Sequence, residues 1–159
     1  FAVPPASFNR VFILTHIYRH FLFEGVGLRQ VMDYFFVLKS DKASEKEKDE
    51  AMCLLEELRM KRFAGAVMWV LYECLGLSMD YLLCPPNEKE GRFLLSEIEQ
   101  TGNFGKEDKR YKGYSKMKMM AKHGAHLLMH YPSEVVWTPI WLVYHKIWKN
   151  IRKKNINKT

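Results

Sequence analysis

The chain has 159 residues and a net charge of +7; 48 % of its residues are hydrophobic and 14 % are aromatic. This composition excludes an intrinsically disordered chain, and the length predicts a single domain over residues 1–159 with a core of its own. No run of about 18 uninterrupted apolar residues occurs, so no membrane span is predicted. Residues 106–159 carry 13 basic and 3 acidic side chains, so a phosphate-rich partner would be attracted to the C-terminal third.

The three cysteines, Cys53, Cys74 and Cys84, are odd in number and lack C-x-x-C spacing. This pattern favours reduced core thiols over a disulfide or zinc framework, and it predicts a cytoplasmic protein. The first residue is Phe1 rather than Met. We therefore expect a processed product or part of a longer protein.

Hydrophobic periodicity predicts an all-α protein of about seven helices, with no sheet. The predicted helices cover residues 8–23, 28–39, 45–58, 63–75, 88–101, 114–130 and 140–151. Residues 152–159 are expected to form a basic, frayed tail. No period-two pattern persists, and no internal repeat is evident.

Residue types at the ends of these segments support the helix boundaries. Ser44 with Glu47 matches the capping box, and Asn87 with Glu90 is a second cap signal. Gly76 is predicted to end the fourth helix, and Gly25 is predicted to allow a tight reversal between the first two helices.

The apolar residues predict which helix faces are buried. The first helix is apolar nearly all round, which predicts burial on most of its faces. In the third helix the expected buried stripe is Ala51, Leu54, Leu55 and Leu58. In the sixth helix it is Met117, Met120, Ala121, Gly124, Leu128 and Tyr131.

Two histidines, His16 and His20, are four residues apart on the first helix, and Glu24 follows one turn later. This spacing places both imidazoles on one face and suits a metal ion. The glutamate of the H-E-x-x-H zinc motif is absent, however, and no third ligand is spaced convincingly. We therefore predict no metal site and interpret the pair as hydrogen-bonded histidines of the core or of a binding site.

Arg29 and Asp33 are also four residues apart, on the second helix. One interpretation is an ordinary surface pair, since this order of charges stabilises a helix only weakly. In the alternative, Asp33 orients Arg29, whose planar guanidinium then binds a phosphate or a carboxylate.

Catalytic motifs are missing from the chain. Its closely spaced acidic pairs, Glu45/Glu47, Glu88/Glu90 and Glu97/Glu99, fall in predicted helices, where residues two apart point in very different directions. Such pairs cannot easily share a magnesium ion. The Walker A loop, the G-x-G-x-x-G loop and the nucleophile elbow are absent as well, so we expect no catalytic residues and no activity from this chain alone.

The C-terminal element allows two interpretations. Its aromatic and basic residues alternate, namely Trp137, Trp141, Tyr144, Lys146, Trp148, Lys149 and the cluster Arg152-Lys153-Lys154. This pattern is typical of a helix that lies on a membrane surface, and equally of a terminal helix that docks its aromatics on the core. We favour docking. No recognised nucleic-acid-binding motif accompanies the lysines.

Four segments resemble the C-terminal helical half of a bacterial family of uncharacterised nucleotidyltransferases in the polymerase-beta-like superfamily. The first is His16-Ile-Tyr-Arg-His20-Phe-Leu-Phe-Glu24-Gly25-Val-Gly27-Leu-Arg29-Gln-Val-Met-Asp33. The others are Tyr81 to Leu95, Gly102-Asn-Phe-Gly105 and Tyr131-Pro-Ser-Glu134-Val-Val-Trp137. The resemblance therefore covers most of the chain.

This resemblance implies the role of a helical substrate- or nucleotide-side domain. The Gly-Ser turn and the metal-binding acidic pair of such enzymes belong to an N-terminal catalytic domain, which nothing before Phe8 supplies. The full-length protein would use Mg²⁺ with an NTP and an unidentified acceptor. By the same resemblance, Arg29 would contact the triphosphate or substrate, Asp33 would orient it, and His16 and His20 would line the same cleft. The alternative is a non-catalytic helical module that binds anionic partners through residues 106–159.

Overall fold

A computed structural model describes residues 6–23, 25–101, 113–133 and 135–136, together with 144 and 148–149. This part of the chain is helical and contains no strand, which confirms the predicted all-α class. The chain divides into two compact units, Phe1–Tyr114 and Ser115–Thr159. That both units form one domain stays a prediction.

The described helices follow the predicted order. They are α1 (Ala6–Phe23), α2 (Leu28–Ser40), α3 (Glu45–Glu57), α4 (Lys61–Trp69) and α5 (Glu88–Thr101) in the first unit, and α6 (Lys116–Leu127) in the second. A π-helical segment, Val70–Cys74, continues α4, and a 3₁₀ turn, Met79–Tyr81, lies in the loop before α5. Most of the predicted seventh helix, residues 140–151, and all of the predicted tail, residues 152–159, lie outside the described residues.

The predicted helix boundaries depend on short-range hydrogen bonds that the structure confirms. Ser44 and Glu47 form the reciprocal capping box, in which the Ser44 N–H donates to Glu47 Oε2 at 2.8 Å and the Glu47 N–H donates to Ser44 Oγ at 3.4 Å. The Asn87 side chain accepts a hydrogen bond from the Glu90 N–H at 3.2 Å. Gly76 (φ +70°) and Gly25 (φ +81°) both adopt the left-handed conformation that a side chain would disfavour.

The core of the first unit is built around α4, whose residues 63–69 are all buried. This helix packs along α5, and the two approach so closely that a Cβ atom added at Gly91 would lie 2.5 Å from Cε3 of Trp69. Rings of α1 cover another side of α4, since Phe21 lies 5.2 Å from Phe63 between ring centroids. The small side chains of α4 and α5 thus allow the bulky ones to interlock.

Helix α1 is buried on one face only, which corrects the expectation that most of its faces are covered. Leu14, Ile17 and Phe21 are buried, whereas Phe8 and Phe12 are each 54 % exposed and stack on one another. Within the first unit α1 contacts α2 and α3, and its Phe21 also meets Phe63 of α4, but these neighbours do not surround the helix. A helix that carries apolar residues on nearly every side is therefore not necessarily buried on every side.

The predicted stripes of α3 and α6 also need correction. In α3, Ala51 and Leu55 are buried, but Leu54 and Leu58 are exposed. In α6 and the turn that follows it, Tyr131 is buried as predicted, whereas Ala121 and Leu128 are exposed. His123 and Leu127, which the predicted stripe did not include, are buried, and the side chains of Met117 and Met120 lie outside the described part of the chain. Of the three cysteines, only Cys84 is buried, so the expectation of three core thiols is wrong.

A buried arginine joins α1 to the connection between α2 and α3. The Arg10 side chain is 2 % exposed, and its guanidinium contacts Asp41 Oδ2 at 2.8 Å and Glu47 Oε1 at 3.1 Å. It also donates to the carbonyl oxygen of Asp41 at 2.8 Å. A buried charge requires such partners, and here they fix the start of α3 against the start of α1.

Within the part of the chain that the structure describes, no helix is both long enough and apolar enough to cross a membrane. Tyr144 and Trp148 are exposed, by 66 % and 44 %. Docking of the C-terminal aromatics on the core stays a prediction. The other aromatics of this element, Trp137 and Trp141, lie outside the described residues.

Candidate functional site

The structure brings His16 and His20 together on α1. Their Nε2 atoms are 3.0 Å apart, and their rings are nearly perpendicular, at 80°. His16 is exposed and His20 is half-buried. The interpretation as a hydrogen-bonded pair is confirmed, at the surface of α1 rather than in the core.

Arg29 and Asp33 lie in the first half of α2, and both side chains are exposed. Among the described residues, neither forms a hydrogen bond or an ion pair with the other. The expected orienting contact from Asp33 to Arg29 is therefore absent from the structure. The assignment of Arg29 and Asp33 to a nucleotide site stays a prediction.

Sequence reasoning did not anticipate an open groove of about 990 Å³ between the N-terminal half of α4 and the start of α5. We call it the basic groove because its charged lining comprises Lys61 and Arg62 of α4, Lys89 and Arg92 of α5, and a single carboxylate, Glu88. By contrast, residues 1–105 carry 12 basic and 15 acidic side chains in all. The positive charge is therefore concentrated in the basic groove within an acidic stretch of the chain.

The backbone of the loop before α5 forms one wall of the basic groove. The Asn87 N–H donates to the Gly65 carbonyl of α4 at 2.9 Å, and the Leu83 N–H donates to the Met68 sulfur at 3.4 Å. A Cβ atom at Gly65 would lie 3.0 Å from Cβ of Asn87 and 3.3 Å from the carbonyl oxygen of Pro85. Gly65 thus allows the loop to pack directly on α4.

Contacts around the cations hold two of them in place. Arg92 donates to Glu88 Oε1 through Nε at 2.9 Å and through Nη2 at 2.8 Å, and its guanidinium lies 5.4 Å from the ring centroid of Trp69. Lys61 forms an ion pair with Glu56 of α3. Lys89 forms no ion pair within the described residues. A positioned guanidinium beside an unpaired ammonium suits a ligand that carries several negative charges.

The groove also contains the buried thiol of Cys84. Burial raises the pKa of Cys84 to about 11, although the nearby Lys61 ammonium acts in the opposite direction. The thiol is therefore protonated near neutral pH. Because the thiolate is the nucleophilic form of cysteine, this environment favours binding over covalent chemistry.

The basic groove and the predicted site residues are different sets. None of His16, His20, Arg29 and Asp33 lines the groove. One signal was present in the sequence: Lys61-Arg62 precedes the predicted fourth helix, and Lys89 and Arg92 lie near the start of the predicted fifth. Pairing these two clusters required the fold, since they are distant along the chain.

The Mg²⁺ ion that the resemblance implies for the full-length protein stays a prediction. Mg²⁺ binds through carboxylates and other oxygen ligands. No group of three or more His, Cys, Asp or Glu side chains within the described residues could hold a metal ion. Of the acidic pairs, Glu47 is bonded to Ser44 and Arg10, and Glu88 is bonded to Arg92.

Comparisons with protein families, with curated proteins and with solved structures found no match to this chain.

Proposed function

We propose that this chain is the nucleotide-side helical domain of a nucleotidyltransferase, and that its basic groove binds the phosphates of the nucleotide. The observation that carries the proposal is the concentration of four cations around one open groove. The resemblance described above supplies the reaction class. The Mg²⁺-binding carboxylates would belong to a separate catalytic domain, and a cytoplasmic location, where NTPs are present, is part of the proposal.

The chemistry of the groove supports a phosphate-bearing ligand. Arg62 and Arg92 present planar donors that match phosphate oxygens, and Lys89 adds a point charge. The start of α5 lies at the same place, and the partial positive charge of a helix N-terminus favours anions. The apolar part of the groove lining, formed by Met52, Pro85 and Pro86, offers a surface for a base or a sugar.

The first test is titration of the chain with ATP, tripolyphosphate and adenosine, followed by calorimetry. We expect ATP and tripolyphosphate to bind and adenosine not to bind, because the charges provide the attraction. Lys89→Glu should weaken ATP binding at least tenfold, since one charge-assisted contact contributes about 1.5–3 kcal/mol. The matched control is Lys46→Glu, a change of the same size at an exposed α3 lysine that does not line the groove.

Other outcomes of this titration would redirect or contradict the proposal. If Arg29→Ala weakens ATP binding and Lys89→Glu does not, the nucleotide binds at the predicted α2 residues rather than in the groove. If Lys46→Glu has the same effect as Lys89→Glu, the attraction is general rather than local. Failure of ATP and tripolyphosphate to bind at millimolar concentration would contradict the groove assignment.

A second candidate, a non-catalytic module that binds anionic partners through the C-terminal third, is favoured by one observation in α6. Lys118, Lys122 and His126 are four residues apart and are all exposed, so they form a basic line along the helix. Residues 106–159 carry the excess of basic residues. A partner recognised in this way would be bound by charge and released by salt.

A further inference from the structure

The paired imidazoles of α1 place two possible metal ligands side by side at the surface of one helix. Both histidines present the same ring nitrogen, Nε2, and the two atoms are 3.0 Å apart. The four-residue spacing places the rings one above the other on a single helix, so no loop has to move to bring them together. At least one ring edge is open to solvent, because His16 is exposed.

The separation of the two nitrogens can be compared with that of two ligands on one metal ion. Two nitrogens that bind an ion at about 2.0–2.1 Å are about 2.8–3.0 Å apart when they meet it at a right angle, and about 3.3–3.4 Å apart in a tetrahedral site. The observed 3.0 Å matches the right-angled arrangement. Right-angled ligation by nitrogen is typical of Cu²⁺ and Ni²⁺, whereas Zn²⁺ prefers tetrahedral sites.

We propose that His16 and His20 together chelate a divalent late transition-metal ion, with Cu²⁺ and Ni²⁺ preferred over Zn²⁺. Neither imidazole has to lose a proton to solvent on binding. In the neutral hydrogen-bonded pair, one Nε2 carries the shared hydrogen; when that ring moves its proton to Nδ1, both Nε2 lone pairs face the ion. The ion would lie beside the line that joins the two nitrogens, because the midpoint of a 3.0 Å separation is too close to both for bonds of about 2.0–2.1 Å.

No third His, Cys, Asp or Glu within the described residues completes a site around the pair. The remaining positions would be taken by water or by an anionic ligand. This site is separate from the Mg²⁺ of nucleotidyl transfer, because imidazole nitrogens suit late transition metals and Mg²⁺ requires oxygen ligands. It also stands without the basic groove, to whose lining neither histidine belongs.

The test is calorimetric titration of the untagged 159-residue chain with CuCl₂, NiCl₂ and ZnCl₂, together with electron paramagnetic resonance of the Cu²⁺ form. We expect one tight Cu²⁺ per chain and a spectrum that shows coupling to two imidazole nitrogens. His16→Asn and His20→Asn should each weaken binding about 100-fold, because the helix holds the second imidazole at a high effective concentration. Arg19→Gln, at an exposed α1 residue next to His20, is the matched control and should leave the affinity nearly unchanged.

Thermal unfolding gives a second readout. A metal that binds the folded pair should raise the Tm of the unaltered chain, and it should leave the Tm of His16→Asn unchanged. Equal affinity in the unaltered chain and in His16→Asn would overturn the proposal, as would tighter binding of Zn²⁺ than of Ni²⁺. An unchanged Tm at a saturating Ni²⁺ concentration would overturn it as well.

Discussion

Glu47 serves two purposes at once. Its carboxylate caps the first turn of α3 through Ser44, and it also accepts a hydrogen bond from the buried Arg10. Hydrogen bonds from the Ser44 backbone and hydroxyl, followed by that from Arg10, lower the pKa of Glu47 below its ordinary value of 4.5. A lowered pKa means that the folded state favours the charged carboxylate more than the unfolded state does.

This lowered pKa predicts how acid destabilises the protein. Above pH 4.5 the ionised Glu47 stabilises the fold, and this contribution is lost as the pH falls through the lowered pKa of the folded state. Glu47→Gln should therefore reduce stability near neutral pH and flatten the loss of stability on acidification. Urea unfolding between about pH 7 and pH 3 measures both effects. Glu57→Gln, at an exposed carboxylate of the same helix, is the control; equal acid slopes in the two variants would contradict the prediction.

At the scale of elements, the contact between α4 and α5 depends on a glycine. Gly91→Ala would place a methyl group 2.5–2.6 Å from three atoms of Trp69, a residue whose backbone lies in the buried helix. We expect this change to lower the free energy of unfolding by about 1–3 kcal/mol, because the core has no room for it. Because Trp69 also lies beneath Arg92, the variant should weaken ATP binding as well.

Gly124→Ala provides a matched control in α6. Among the described residues the added methyl group would meet only Val135, at an ordinary 3.5 Å, and the position lies inside a helix. Alanine is favoured over glycine there by about 1 kcal/mol, so the free energy of unfolding should stay unchanged or increase. Chemical denaturation of both variants tests the contrast; a destabilised Gly124→Ala beside an unaffected Gly91→Ala would contradict the packing described for α4 and α5.

At the scale of the whole molecule, the two candidate binding surfaces belong to different compact units. Every residue that lines the basic groove belongs to the first unit, whereas the basic line of α6 belongs to the second. A chain that ends at Tyr114 should therefore keep its affinity for ATP, once circular dichroism shows that it is helical. Calorimetry of this shortened chain is the measurement. If the affinity falls by tenfold or more while the fold is kept, residues 115–159 take part in binding and the second candidate function is favoured.

What the sequence predicted well was local in origin. Caps at Ser44 and Asn87, and the helix end at Gly76, follow from hydrogen bonds and backbone angles within a few residues. The π-helical widening at Val70–Cys74 has no such local signature. Burial was harder to predict, since Phe12 and Leu54 are exposed although both belong to apolar faces of their helices. An apolar face indicates that a helix has a packing partner, but it does not fix how far that partner extends.

The candidate sites also divide into those that local spacing predicts and those that only the fold brings together. The proximity of His16 and His20 follows from helical spacing alone and was predicted. The basic groove unites Lys61 and Arg62 with Lys89 and Arg92 only because the loop before α5 folds back onto α4. The ion pairs of Arg10 with Asp41 and Glu47 are equally long-range, and no pattern in one sequence reveals them.

Two hydrogen bonds attach the loop before α5 to α4. The Leu83 N–H donates to the Met68 sulfur, and the Asn87 N–H donates to the Gly65 carbonyl oxygen, so that the two acceptors lie one helical turn apart. Both walls of the groove therefore rest on one helix, and its width is set before any ligand arrives. Such preorganisation spares the entropy cost of ordering a loop on binding. Phosphate-bearing ligands should accordingly associate in a single fast step, without the slower phase that a closing lid would add to stopped-flow traces.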